Sequence, residues 1–132
     1  MDAPKKVKLS EERESLCKLL KIHTTGGVMR CYVHTSGFPD NPKRLAEVFL
    51  RCDSVGSTLR GTLDALGITM SVSLQHGVPL YELARHLLNM KFEPSGMTGN
   101  PDHPIAKSIL DYLSRYLISR YPDGADAPPQ SP

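Results

Sequence analysis

Apolar residues alternate with polar ones as far as Cys52, then recur every three or four positions from Ser57 onward. Strand side chains change faces at every residue, whereas a helix returns to the same face after three or four. One such change of period divides the chain into a strand-forming half followed by a helix-forming half. Leu16 to Thr24 and Val28 to Thr35 are rich in β-formers and are separated by Thr25-Gly26-Gly27. Paired glycines supply the positive φ of a tight hairpin turn, so these runs read as two antiparallel strands. Met29, Cys31 and Val33 share one face of the second strand; Arg30, Tyr32 and His34 share the other. Ser36 to Pro42, with Gly37, Pro39, Asn41 and Pro42 as breakers, reads as a loop. In a third strand Ala46, Val48, Leu50 and Cys52 alternate with Glu47, Phe49 and Arg51.

Beyond the change of period, Leu59, Leu63, Leu66, Met70 and Leu74 form a helical stripe between Ser57 and His76. Gly61, Ala65, Gly67 and Ser71 are small, which lets another backbone approach, either the domain's own sheet or a second copy. Gly77 stands where a helix terminates, and Pro79 opens a second helix running to about Met90. Ile105, Ile109, Tyr112, Leu113, Tyr116 and Leu117 mark a third helix after the irregular stretch Phe92 to Pro104. The expected fold class is α+β: a small antiparallel sheet of about three strands, followed by three helices packed on one face.

The chain's 132 residues suit one domain with a real core. Residues 1–14 form a polar arm, in which Ser10 either caps a short helix or leads straight into the first strand. Residues 15–121 are the domain, and the proline-rich residues 122–132 have nothing to bury and are expected to be disordered. Lys plus Arg number 16 against 14 Asp plus Glu, a net charge of +2, which argues against a dedicated duplex-DNA binder. No apolar run approaches the ~18 residues of a membrane span, and no signal-peptide core follows Met1. A cytoplasmic protein is expected.

Chemistry has few footholds. Cys31 and Cys52 fall on apolar strand faces, where a free cysteine acts as a small hydrophobe, and metal-ligand spacings are missing, so no metal is expected. Neither a nucleophile elbow nor a pair of carboxylates on one helical face is present, and no catalytic residue is assigned. The turn Asp53 to Thr58 joins the third strand to the first helix, where free backbone N–H groups among small residues can hold an anion. The same spacing also fits ordinary capping by Ser57. The loop Phe92 to Pro104 is either functional or a rigid connector whose Asp102 caps the last helix.

Several runs together carry a resemblance. Gly56-Ser57-Thr58-Leu59-Arg60-Gly61, Leu63-Asp64-Ala65 and Ser73-Leu74-Gln75-His76-Gly77-Val78-Pro79-Leu80 are followed by Phe92-Glu93-Pro94-Ser95-Gly96, Thr98-Gly99-Asn100-Pro101 and Ala106-Lys107-Ser108-Ile109-Leu110-Asp111-Tyr112. In this order they resemble the TSCPD domain found near the C-terminus of adenosylcobalamin-dependent (class II) ribonucleotide reductases, over roughly residues 16–121. The resemblance implies a setting in nucleotide metabolism and no reaction. The barrel, cobalamin site, radical-forming cysteine and redox cysteine pair of the reductase do not fit within this chain. Asp53-Ser54-Val55 also departs from the charged pair that tends to precede Gly-Ser-Thr in the family.

The expectation is a stand-alone, non-catalytic module that binds a nucleotide-like or phosphate-bearing ligand without a further cofactor and forms a homo-oligomer. Gly56, Ser57 and Thr58 would offer donors to the anion, Arg60 and Lys107 charge, and Glu93, Ser95 and Asn100 polar contacts. One alternative is an accessory subunit of a split class II reductase, acting by docking. Another is a nucleic-acid binder: Lys5, Lys6, Lys8, Lys18 and Lys21 speak for it, and the five Tyr, three Phe and absent Trp against it. Neither a membrane nor a nucleic acid is the expected partner.

Overall fold

A computed structural model describes residues 6–53 and 55–123. Met1 to Lys5, Ser54 and most of the expected tail, 124–132, lie outside the described residues. Three long strands come first: β1 (Leu16–Thr24), β2 (Gly27–Phe38) and β3 (Asn41–Cys52). They are followed by α1 (Ser57–Gln75), α2 (Leu80–Ala84), β4 (Gly96–Met97), β5 (Ile105–Ala106) and α3 (Ile109–Arg120). The α+β class stands, but the antiparallel sheet has five strands in the order β3-β2-β1-β4-β5, where about three were expected. The two added strands are two residues each, too short for alternation to register.

The β1–β2 hairpin pairs Leu16 with Thr35 through to Thr24 with Gly27, and Gly27 takes φ 138° in the turn. The expected loop from Ser36 to Pro42 is instead the β2–β3 corner. Both strands extend into it, with register shifts between Ser36 and Phe38. Gly37 allows this, because a Cβ there would strike the Pro42 backbone. The arm has no helix over residues 6–15 and leads straight into β1. Val7 N donates to Gln75 O at 2.8 Å, and Arg13 grips Glu47 through Nε to Oε1 (2.6 Å) and Nη2 to Oε2 (2.8 Å).

Leu20, Ile22, Cys31, Val33, Leu50 and Cys52 point to one sheet face and are buried with Tyr112, Leu113 and Leu117 of α3. Tyr121, just past α3, shares a 2.6 Å hydrogen bond between its hydroxyl and Thr35 Oγ1. Cys31 and Cys52 are opposite one another in register, 4.0 Å apart at Cα, and are joined by a disulfide. The expectation of free buried cysteines is therefore corrected. In a non-hydrogen-bonded antiparallel pair the Cα atoms approach to about 4.5 Å, which brings the two sulfurs together. Cys17 is free and exposed.

The long helix α1 runs along β3, the sheet's outer strand. Val48 N donates to Ser71 Oγ at 2.9 Å and Ser71 Oγ donates to Val48 O at 3.1 Å, while Gln75 Nε2 donates to Ala46 O at 3.1 Å. One side-chain hydroxyl thus serves both the donor and the acceptor of an edge residue, as a neighbouring strand would. At Gly67 an added Cβ would lie 2.9 Å from Val48 O. Gly67 and Ser71 therefore meet the domain's own sheet; Gly61 faces open space.

The second helix is far shorter than the Pro79–Met90 span expected. After Ala84 the chain tightens into turns, and Asn89 takes φ 66° with its N–H donating to Asp111 Oδ1 at 2.7 Å. Capture of that amide by a buried carboxylate closes the run of turns that follows the helix. The third helix starts at Ile109 instead of Ile105, because Ile105 and Ala106 pair with β4 and Ser108 caps the helix through a 3.1 Å bond from Asp111 N. Asp102 is not the cap.

Candidate functional site

The eight residues expected to form a site fall into two groups. The first is at the start of α1, where Gly56 (φ −67°, ψ 165°) is the cap and no side chain accepts a capping bond. Ser57 is the first helical residue, so capping by Ser57 is not realised. Ser57, Thr58 and Arg60 are exposed, and Arg60 Nη2 donates to Val55 O at 3.4 Å.

The second group comes from the long loop and the start of α3. Glu93 Oε2 and Oε1 accept from Ser95 N (3.0 Å) and Ser95 Oγ (3.1 Å), closing the first turn of the loop. Thr98, almost fully buried, donates to His103 O at 2.5 Å and accepts from Asn100 N at 3.0 Å. Asn100 Oδ1 accepts from Asp102 N (2.9 Å), and its Nδ2 donates to Tyr112 OH (3.2 Å). These bonds hold the loop in one path against β1, where Gly96 crosses the His23 carbonyl too closely for a Cβ.

Three residues that the sequence reading did not assign complete this group: Asn89, Asp111 and Arg115. Asp111, 1% exposed, accepts from Asn89 N and Arg115 Nε (2.9 Å) on Oδ1 and from Lys107 N (3.1 Å) on Oδ2. Lys107 Nζ (3.0 Å) and Arg115 Nη2 (2.7 Å) both donate to the single oxygen Asn89 Oδ1. Two cations therefore converge on one neutral acceptor, beside a carboxylate whose two oxygens are already engaged. The i, i+4 spacing of Asp111 and Arg115 was visible in the sequence, but it becomes a pair at the helix entrance only once the helix is known to start at Ile109.

The two groups do not meet. The first follows β3 and the second surrounds β4 and β5, with β2 and β1 between them. Three strand spacings, roughly 14 Å, separate β3 from β4, and four separate it from β5. Elsewhere a cleft of about 480 Å³ lies between the arm, the β2–β3 corner and the end of α3, and a second of about 360 Å³ lies beside Phe38 and Arg44. None of the eight residues lines either cleft. Among the described residues, no three His, Cys, Asp or Glu side chains gather as a metal ion would require, and no helix is long and apolar enough to cross a membrane.

A family model described as the TSCPD domain matches residues 5–121. Among similar proteins, a vitamin B12-dependent ribonucleotide reductase of Streptomyces avermitilis is 47% identical over 94 residues, covering 71% of this chain and 9% of the relative. The reductase of the same name from Rhodopirellula baltica is 34% identical over 128 residues, 97% of this chain and 12% of its own length. That of Agrobacterium fabrum is 37% identical over 117 residues, 86% and 9%. The chain thus spans about a tenth of the length of these relatives. No solved structure matches.

Proposed function

The chain belongs to the TSCPD domain family, and from that membership we propose that it is a non-catalytic module holding a phosphate-bearing, nucleotide-like ligand at the entrance to α3. Its relatives are ribonucleotide reductases, which sets the chain in a context of nucleotide metabolism. The observation that carries the proposal is the convergence of Lys107 Nζ and Arg115 Nη2 on Asn89 Oδ1. A phosphate oxygen in place of that amide oxygen accepts from the same two donors, with the N-terminal end of the α3 dipole adding attraction. Buried Asp111 positions Arg115 and the Lys107 backbone. Glu93 and Ser95 flank the entrance through the loop that reaches Lys107, as Phe92 N donates to Lys107 O at 3.2 Å. Asn100 keeps the loop in shape. Gly56, Ser57, Thr58 and Arg60 stand apart from this position.

Isothermal titration of the 132-residue chain with dATP tests the proposal. Binding is expected to fall at least tenfold in Lys107→Ala and in Arg115→Gln, and to survive in Arg60→Ala. No heat with any deoxynucleotide, or equal affinity in all three variants, overturns it.

A second reading, docking onto a reductase chain, is favoured by Met97 and Ile105. They pair across β4 and β5 at the sheet's outer edge and are 66% and 64% exposed. Self-association is part of the proposal as well, through the outer face of α1, where Ile68 is 56% and Val72 41% exposed. Light scattering after size exclusion measures it directly, and a monomer at all concentrations removes it.

A further inference from the structure

We infer that the open face of the sheet, made by β1, β2 and β3 on the side away from α3, is a platform for single-stranded nucleic acid. On that face register places Lys21, Arg30 and Arg51 against one carboxylate, Glu47, while Lys18, opposite Val33, lies on the core side. Glu47 is buried and already gripped by Arg13, so it cancels none of that charge toward solvent. Register assigns the faces. Lys21 is opposite Arg30, Tyr32 is opposite Arg51, and His34 is opposite Phe49, all pointing away from the core residues Leu20, Cys31 and Leu50. Lys21, Arg30 and Arg51 are exposed and form no ion pair among the described residues.

Two aromatic rings stand within this basic field. Phe49 is 41% exposed and Tyr32 half-buried. They are diagonal neighbours on adjacent strands, a relation that sets side chains roughly 7–8 Å apart. The Phe49 ring lies at the edge beside α1, where a Cβ on Gly67 would be 3.7 Å from Phe49 Cδ1, an ordinary contact. Rings that stack bases and cations that follow phosphates are the two elements of sequence-tolerant single-strand binding. The low aromatic count spoke against nucleic acid in the sequence. Register lessens its weight, because two rings on one uncovered face suffice for two bases. A second copy of the chain does not fit this face, since it would set Lys21, Arg30 and Arg51 against the same cations. An acidic protein would meet the charge and leave the rings without a matching partner.

Fluorescence anisotropy of a labelled dT12 oligonucleotide with the 132-residue chain tests the assignment. Binding is expected with a log–log salt slope near −2, from about three phosphates at roughly 0.7 each. Arg30→Ala and Arg51→Ala should each flatten the slope by about 0.7. Tyr32→Leu and Phe49→Leu keep apolar volume and remove the ring, and each is expected to weaken binding roughly tenfold. Unchanged melting temperatures certify that these variants fold. No anisotropy change up to about 100 μM protein, the weak end of non-specific binding, overturns the inference. Unaltered affinity after loss of both rings, or equal affinity for a poly-glutamate peptide, also overturns it and assigns the face to acidic proteins.

Discussion

Asp111 is 1% exposed with both oxygens engaged, and its removal tests how much order one buried carboxylate imposes. In Asp111→Asn an amide N–H₂ must face either the N–H of Lys107 or the donors on the other side. The expected loss is about 2–3 kcal/mol, read as a lower urea midpoint at unchanged slope. Glu47 tests the opposite end of the molecule. Its carboxyl is held below the ordinary glutamate range, first by the bonds from Arg13, with burial pulling the other way. A depressed native pKa stabilises the fold fully above the unfolded value, about 4.3, and the contribution disappears as pH falls through the native value. Glu47→Gln is therefore expected to melt below wild type at neutral pH and to converge with it as the pH falls below the unfolded value and through the depressed native one. A gap of constant size across that range in calorimetry would contradict the pair's role. Among the site residues, Lys107 was legible only through the motif run it belongs to. Asn89 was not legible, because its left-handed backbone depends on a carboxylate 22 positions away.

At the scale of elements, α1 does two jobs: it contributes Leu63, Met70 and Leu74 to the core and seals the edge of β3. Edge strands with unpaired backbone groups invite association with other chains. Ser71→Ala leaves Val48 N–H and C=O without their partner, and a loss of about 1–3 kcal/mol is expected. Amide exchange at Val48 should accelerate more than exchange in the β1–β2 hairpin, and equal protection at Val48 would show that the seal is not needed. Gly67→Val should be worse than Ser71→Ala, since its side chain is built into the Val48 and Phe49 backbone. The first hairpin and α1 were readable because alternation and the three-to-four spacing each persist over many residues. The strands β4 and β5 and the late start of α3 were not, because they depend on pairing between short segments that alternation is too brief to reveal. The helix α2 gives way to turns within a run of unbroken helical spacing. The β2–β3 corner misled for another reason: its breakers mark a bulged crossing within the sheet, and a Gly-Pro cluster reads the same in either case.

Among the described residues the sheet has one face buried against α3, one edge sealed by α1 and one basic face turned away from α3. The disulfide joins β2 to β3 across 21 positions of sequence and so limits the unfolded chain. Thiol titration of the chain unfolded without reductant is expected to find Cys17 alone, and reduction should lower stability by about 3 kcal/mol in the loop-entropy picture. Three reactive thiols before reduction would contradict the pairing. The relatives are ribonucleotide reductases, which sets the chain in a context of nucleotide metabolism, and the proposal puts its ligand at the cluster around Asn89. The most direct measurement is a titration of the isotope-labelled chain with dATP followed by amide NMR. Shifts are predicted to gather at Asn89, Lys107, Asp111 and Arg115 and to vanish in Lys107→Ala, with the start of α1 left unchanged. Shifts centred on Ser57 to Arg60, or none at saturating nucleotide, would contradict the account.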